Sequence, residues 1–311
     1  MGLTVTPILP RFGAEVSGVD ISKPLGAEER KAIIDAQSEY GITVYRNTGL
    51  DDDSHIAFSR IFGHVELAPE LKGRKMRLSH HRELFDASNL DSDGKILDNE
   101  MIRLHKKGDR LWHTDSSFME LRSSQSLLLC HEAPPEGGET WFADTRTAYE
   151  DLPEAMKARI EGLEATHSLW WSRRVAGFPL TEEEIDARPH ARHPLVHVHK
   201  GSGRKALFIA AHTRDIVGMP REEGRALLRE LIAFATQSQY VFKVKYNPGD
   251  LAIWDNLCSM HRGGEFEDLK YRRDMRRTTV REAPAPAAPD DPFTELFEAS
   301  GNTPFRAERP A

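Results

Sequence analysis

An imidazole and a carboxylate stand two residues apart in Leu111-Trp112-His113-Thr114-Asp115-Ser116-Ser117-Phe118. In extended backbone, positions i and i+2 project to one face, so His113 and Asp115 can reach a single metal ion from one short segment. The best third donor is His261, in Asp255-Asn256-Leu257-Cys258-Ser259-Met260-His261-Arg262-Gly263-Gly264. Two histidines and one carboxylate form the facial triad that binds iron(II) and leaves coordination positions open. A polar pair at a strand end would look the same as an isolated H-x-D, so the triad needs support from the rest of the chain.

That support comes from a second basic motif. Tyr271-Arg272-Arg273-Asp274-Met275-Arg276-Arg277 places four arginines in six residues and runs into the strand-like Thr278-Thr279-Val280. A solvated basic strand would have the same composition. If Arg273 and Arg277 share the inward face, however, they need anions, and guanidinium groups bind carboxylates bidentately. Two inward arginines therefore suggest two carboxylates near the metal, one from a co-substrate and one from a substrate.

The elements that must position these groups read as a β-rich chain. Strands are expected at 3–8, 14–21, 42–45, 126–131, 140–142, 163–171, 240–246, 251–254 and 276–281, with a hairpin joining 194–199 to 205–209. Helices are expected at 27–40 (stopped by Gly41), from Asp53 or Ser54 to Phe62, at 151–161, in a short acidic stretch at 181–186, and at 220–235. Residues 66–110 are polar and irregular, with the basic run Lys72 to Arg77 and the pair His80-His81, which lacks ligand spacing. The expected fold is α+β and mainly β: a jelly-roll core with flanking helices. Residues 1–282 would form one domain, with an N-terminal αβ layer at 1–65, the core at about 100–282 and an insertion around 145–192. Residues 283–311, rich in proline, alanine and acid, would be a tail.

Bulk properties narrow the function. With 42 basic and 49 acidic residues among 311, the net charge is −7, which argues against a nucleic-acid partner. Cys130 and Cys258 cannot make a disulfide framework and fit a reducing compartment. No signal-peptide pattern is visible, and no apolar run approaches the roughly 18 residues of a membrane span. A cytoplasmic protein without a membrane partner is expected.

Taken in order, Trp112-His113-x-Asp115, Gly137-Gly138-Glu139-Thr140, Trp254-Asp255-Asn256-x(4)-His261 and the arginine run resemble the taurine/2,4-dichlorophenoxyacetate dioxygenase family, over about residues 5–282. The stretches 112–118, 201–209 and 261–263 resemble its phenoxyacetate branch. The resemblance implies a double-stranded β-helix that uses Fe(II), 2-oxoglutarate and O2. His113, Asp115 and His261 would be the iron ligands. Thr140 and Arg273 would hold the distal carboxylate of 2-oxoglutarate, Arg277 would lie near its chelating end and the substrate anion, and Trp254 would pack beside it. Ser116, Ser117, His199 and His212 would face the substrate. One extra residue separates His261 from the arginines relative to the family, so Arg272 competes with Arg273 by counting; Arg273 keeps Met275, Arg277 and Thr278 in register. The implied reaction hydroxylates the carbon beside the ether oxygen of an aryloxyalkanoate, giving a phenol and a 2-oxo acid with succinate and CO2, as in herbicide degradation. The alternatives are a sulfonate substrate such as taurine and a non-catalytic anion-binding jelly roll. A small-molecule carboxylate is the expected partner, and a homo-oligomer the expected assembly.

Overall fold

The structure is a computed structural model and describes residues 2–68 and 76–282. The expectations for Lys72–Lys75 and for 283–311 lie outside the described residues.

Two sheets face each other and form the jelly roll. The larger has seven strands in the order Thr4–Leu9, Phe12–Ser17, Ile42–Tyr45, Leu251–Asp255, Ser123–Glu132, Asp274–Arg281 and Phe85–Asp86. The smaller has Val241–Val244, Thr140–Asp144 and Ser259–Gly263. Side chains alternate across a strand, so the near-continuous apolar runs at its centre feed two layers at once. Leu127, Leu129, Leu251 and Ile253 pack with Ile33 and Phe58 of the helices Ala27–Tyr40 and Asp52–Ser59. Leu128, Cys130, Ala252 and Trp254 turn the other way, onto Phe142 and Val244 of the smaller sheet and Tyr246 just beyond it. Behind that sheet, Leu227, Leu228 and Leu231 of the helix Arg221–Ala235 cover Ala143 and Met260. Truncating Leu128 to alanine between the two sheets would cost about 2–5 kcal/mol.

Several elements differ from their sequence reading for local reasons. The second helix is Asp52–Ser59, capped by Asp51, whose carboxylate accepts from the Ser54 amide at 2.9 Å. The expected helix 151–161 is Glu154–Ile160 with Pro153 at its cap, and a separate short helix, Thr145–Glu150, which the sequence reading did not include, precedes it. The strand expected over 163–171 stops at His167; Ser168 then caps the helix Leu169–Val175. The irregular 66–110 region holds the helix Glu100–Lys106 and a 3-10 turn at Lys107–Arg110. The strand Ser259–Gly263, which carries His261, has too short an alternation to be seen in sequence.

Candidate functional site

His261 is paired with Phe142 on one side and with His113 on the other. The His113 amide donates to the His261 carbonyl at 2.9 Å, and the His261 amide donates back at 2.7 Å. This single antiparallel bridge brings distant segments together and sets the two rings 4.1 Å apart between centroids. His113 is the only strand-like residue of its segment. Asp115 opens a turn, and Ser116 follows it in the left-handed region at φ 51°. A turn, rather than an extended i, i+2 pair, thus presents Asp115 to the histidines.

The three side chains are buried, and their donor atoms lie within 4.8 Å of one another. The Nδ1 of His113 hydrogen-bonds the Leu111 carbonyl at 2.8 Å, which leaves Nε2 for a ligand. The Nε2 of His261 stands 3.7 Å from Asp115 Oδ2, and its Nδ1 is buried with no hydrogen-bond partner among the described residues. Burial pushes the His261 imidazole well below its ordinary pKa, with the neighbouring His113 adding to the shift, so the ring is neutral as a metal ligand must be. Burial alone would raise the Asp115 carboxyl. Arg277, with the Ser126 hydroxyl, outweighs it and holds the group well below the carboxylate range. A neutral His261 imidazole, the His113 Nε2 left free by the Leu111 bond and the ionised Asp115 carboxylate fit a divalent ion with open positions.

The arginines separate clearly. Arg272 is turned outward, 42% exposed, with Nε on Glu132 at 2.8 Å. Arg273 is turned inward, where Nε donates to the Gly138 carbonyl at 3.1 Å and Nη1 to the Ala87 carbonyl at 3.2 Å. It has no carboxylate partner within ion-pair distance among the described residues, and burial pushes its guanidinium below the ordinary value. The Gly137-Gly138 turn permits this approach. Both residues have positive φ, and a Cβ on Gly137 would stand 2.1 Å from the Glu265 carbonyl oxygen. Arg273 also lines a cavity of about 410 Å³ together with Asn89, Lys107, Arg110, Gly264 and Asp268. None of the three metal-site residues lines it.

The remaining expected residues divide in the same way. Thr140 is buried and accepts from the Tyr246 hydroxyl at 3.0 Å, so its own proton can go to another acceptor. Arg277 places Nη1 2.5 Å from Asp115 Oδ1. Trp254 is core: its ring lies 4.6 Å from that of His261, and its Nε1 donates to Asn256. His212 is beside the metal site, its ring 5.9 Å from His113 and 5.0 Å from Phe118, with Ser117 Oγ 3.3 Å from its Nδ1. Burial, with the neighbouring His113 ring adding to it, lowers its pKa well below the usual value. Ser116 and His199 are engaged elsewhere. Ser116 Oγ donates to the buried Glu66 at 3.1 Å, and His199 is paired with Asp255 at 3.0 Å and with Ser202 at 2.8 Å. His81 meets Asp53 at 3.8 Å and is remote from the triad. Glu66, Ser126 and Tyr246 were missed by sequence reasoning. Only Tyr246 carried a usable signal, as an inward position of an alternating strand that faces Thr140.

The chain matches the family described as taurine catabolism dioxygenase TauD, TfdA, over residues 4–279. It is 38% identical over 282 residues to the alpha-ketoglutarate-dependent 2,4-dichlorophenoxyacetate dioxygenase of Cupriavidus pinatubonensis, covering 90% of this chain and 98% of that one. It is 31% identical over 294 residues to the (S)-phenoxypropionate/alpha-ketoglutarate-dioxygenase of Sphingobium herbicidovorans, covering 90% and 96%. Among solved structures, that of AAD-2 in complex with Mn(II) and N-oxalylglycine is similar, with a TM-score of 0.81, 36% identity, and coverage of 90% of this chain and 99% of that one.

Proposed function

The chain belongs to the taurine catabolism dioxygenase TauD, TfdA family, and from that membership we propose that it hydroxylates an aryloxyalkanoate of the phenoxyacetate type. It is a non-haem iron dioxygenase dependent on 2-oxoglutarate, for which alpha-ketoglutarate is another name. The observation that carries the reading is the buried His113–Asp115–His261 cluster with one inward arginine, Arg273, that lacks a carboxylate partner among the described residues. His113, Asp115 and His261 would hold the iron. Bound iron with 2-oxoglutarate and O2 supplies the oxidative decarboxylation to succinate and CO2 and the oxidising power for a C–H bond.

The chain's own residues position the reactants. Arg273 and Thr140 bind the distal carboxylate of 2-oxoglutarate, and the Tyr246 hydroxyl turns the Thr140 proton toward it. Arg277, already on Asp115, keeps that carboxylate ionised and offers its remaining edge to the anionic end of a ligand. His212, Ser117 and Phe118 form the wall beside His113 against which the aryl ether would lie, and their burial limits water. Hydroxylating the carbon beside the ether oxygen of a phenoxyacetate gives a hemiacetal, which collapses to a phenol and glyoxylate.

Helices among the described residues are too short or too polar to cross a membrane. A cytoplasmic homo-oligomer completes the reading, checked by sedimentation of the purified chain. The test of function is succinate release with iron(II) and 2-oxoglutarate across phenoxyacetates, both enantiomers of 2-phenoxypropionate, and taurine. Stoichiometric phenol with one of the aryl ethers is expected. Turnover with taurine alone would replace the substrate class.

A further inference from the structure

The hydrogen bonds around Asp115 converge on a side chain that touches neither the metal donors nor the cavity. The Asn256 Oδ1 accepts from the Asp115 amide at 3.0 Å and from the Trp254 indole at 3.1 Å, and Thr114 Oγ1 lies 3.3 Å away. Two N–H donors on one atom fix which end of the amide is oxygen. The other end, Nδ2, then donates to Ser126 Oγ at 3.0 Å. That donation leaves the single Ser126 proton for Asp115 Oδ2, which it reaches at 2.7 Å. Asn256 is 1% exposed and Ser126 0%, so these bonds do not compete with bulk water.

We infer that Asn256 and Ser126 are positioning residues that fix which oxygen of Asp115 is presented to the metal. The inference rests on the metal-site reading above. A carboxylate can turn about its terminal bond and exchange its oxygens. Here Arg277 holds Oδ1 and Ser126 holds Oδ2, on the side that faces His261. Asn256 holds the backbone of Asp115 and aims the Ser126 proton, so one amide controls both the place and the rotation of the ligand. The strand pairing explains why this is possible. Ser126 lies opposite Trp254 on the neighbouring strand, and Asn256 follows two residues after Trp254. Outer partners of this kind typically change metal affinity by about 10–100-fold.

The probe is Mn(II), titrated into the full chain without 2-oxoglutarate, together with the visible spectrum of the Co(II) form. Ser126→Ala and Asn256→Asp should each weaken Mn(II) binding at least about tenfold and shift the Co(II) bands. Asn256→Asp keeps the volume and the acceptor but removes the donor, so the Ser126 proton is contested between two carboxylates. It serves if Ser126→Ala does not fold. Thr43→Val removes a buried hydroxyl partnered with Gln37 at 2.6 Å that bonds none of Asp115, Ser126 and Asn256, and should lower thermal stability without moving Mn(II) affinity. Folded Asn256→Asp that binds Mn(II) within twofold of the parent, with an unshifted Co(II) spectrum, overturns the inference. A parent chain that binds no Mn(II) overturns the metal-site assignment instead.

Discussion

The two ends of the site are built on opposite plans. At the metal end the protein satisfies its own charges: both oxygens of Asp115 are taken, by Arg277 and Ser126, and its amide is held by Asn256. At the other end Arg273 is a half-buried cation whose side chain, among the described residues, bonds the Gly138 and Ala87 carbonyls and lines a cavity of about 410 Å³. A half-buried charge with no counter-ion among the described residues gains from an anion, so ligand binding should stabilise this end. The difference separates preorganisation from recognition. One half is fixed before anything binds; on the proposed reading, the co-substrate would complete the other.

The largest predicted effect removes the fixed half. His113→Ala deletes a proposed metal ligand while leaving the His113–His261 backbone bridge intact, because that bridge uses only main-chain atoms. Mn(II) binding and turnover should both fall below detection with the fold preserved by circular dichroism. Retained metal would mean that the triad is not the site.

Next comes the open half. Arg273→Ala should raise the 2-oxoglutarate KM by about 10–100-fold, the loss of a charge-assisted pair worth roughly 1.5–3 kcal/mol. Arg272→Ala removes an exposed pair with Glu132 and a hydrogen bond to the Gly94 carbonyl, and should change it by less than about twofold. Equal effects from the two would erase the contrast between inward and outward arginines.

The closed framework should show itself against acid. Burial above all lowers His55 from 6.5 to about 4. For a base whose folded pKa is depressed, the unfolded chain takes the proton first. Its share of stability is therefore whole above pH 6.5 and lost as pH falls toward 4. That share amounts to at most about 3 kcal/mol at 1.4 kcal/mol per unit. His197, lowered to about 4 mainly by burial and then by Arg122, acts in the same direction. Denaturant melts at pH 6.5 and 4.5 should differ less in His55→Gln than in the parent. An unchanged difference would assign the acid sensitivity elsewhere.

How much of this was legible in the sequence follows the same division. That His113, Asp115 and His261 meet, and that Arg273 rather than Arg272 turns inward, could be read from ordered motifs shared with the family the chain resembles, not from local geometry alone. The Ala27–Tyr40 helix could be read locally, from its apolar face and its terminal glycine. Ser116 and His199 could not be assigned from their neighbours, because their partners Glu66 and Asp255 are brought to them by tertiary pairing. Ser126 looked like one more small residue in an apolar strand. Its meaning depends on facing Asp115, eleven positions earlier, across a turn.

The smallest effect tests whether the open end has any preorganisation of its own. Tyr246 is buried between the sheets, and burial pushes its hydroxyl up to about 12, so it stays a donor at every working pH. By donating to Thr140 it leaves the Thr140 proton one direction to go. Tyr246→Phe removes that constraint and keeps the ring in its apolar setting. The 2-oxoglutarate KM should rise about threefold, in line with a neutral hydrogen bond of roughly 0.5–1.5 kcal/mol, with kcat nearly unchanged. Thr140→Val should give a larger rise, and the double variant no more than Thr140→Val alone, because Tyr246 acts through Thr140. Additive effects would show Tyr246 reaching the co-substrate by itself, and the distal end would then be less dependent on its ligand than the Arg273 geometry implies.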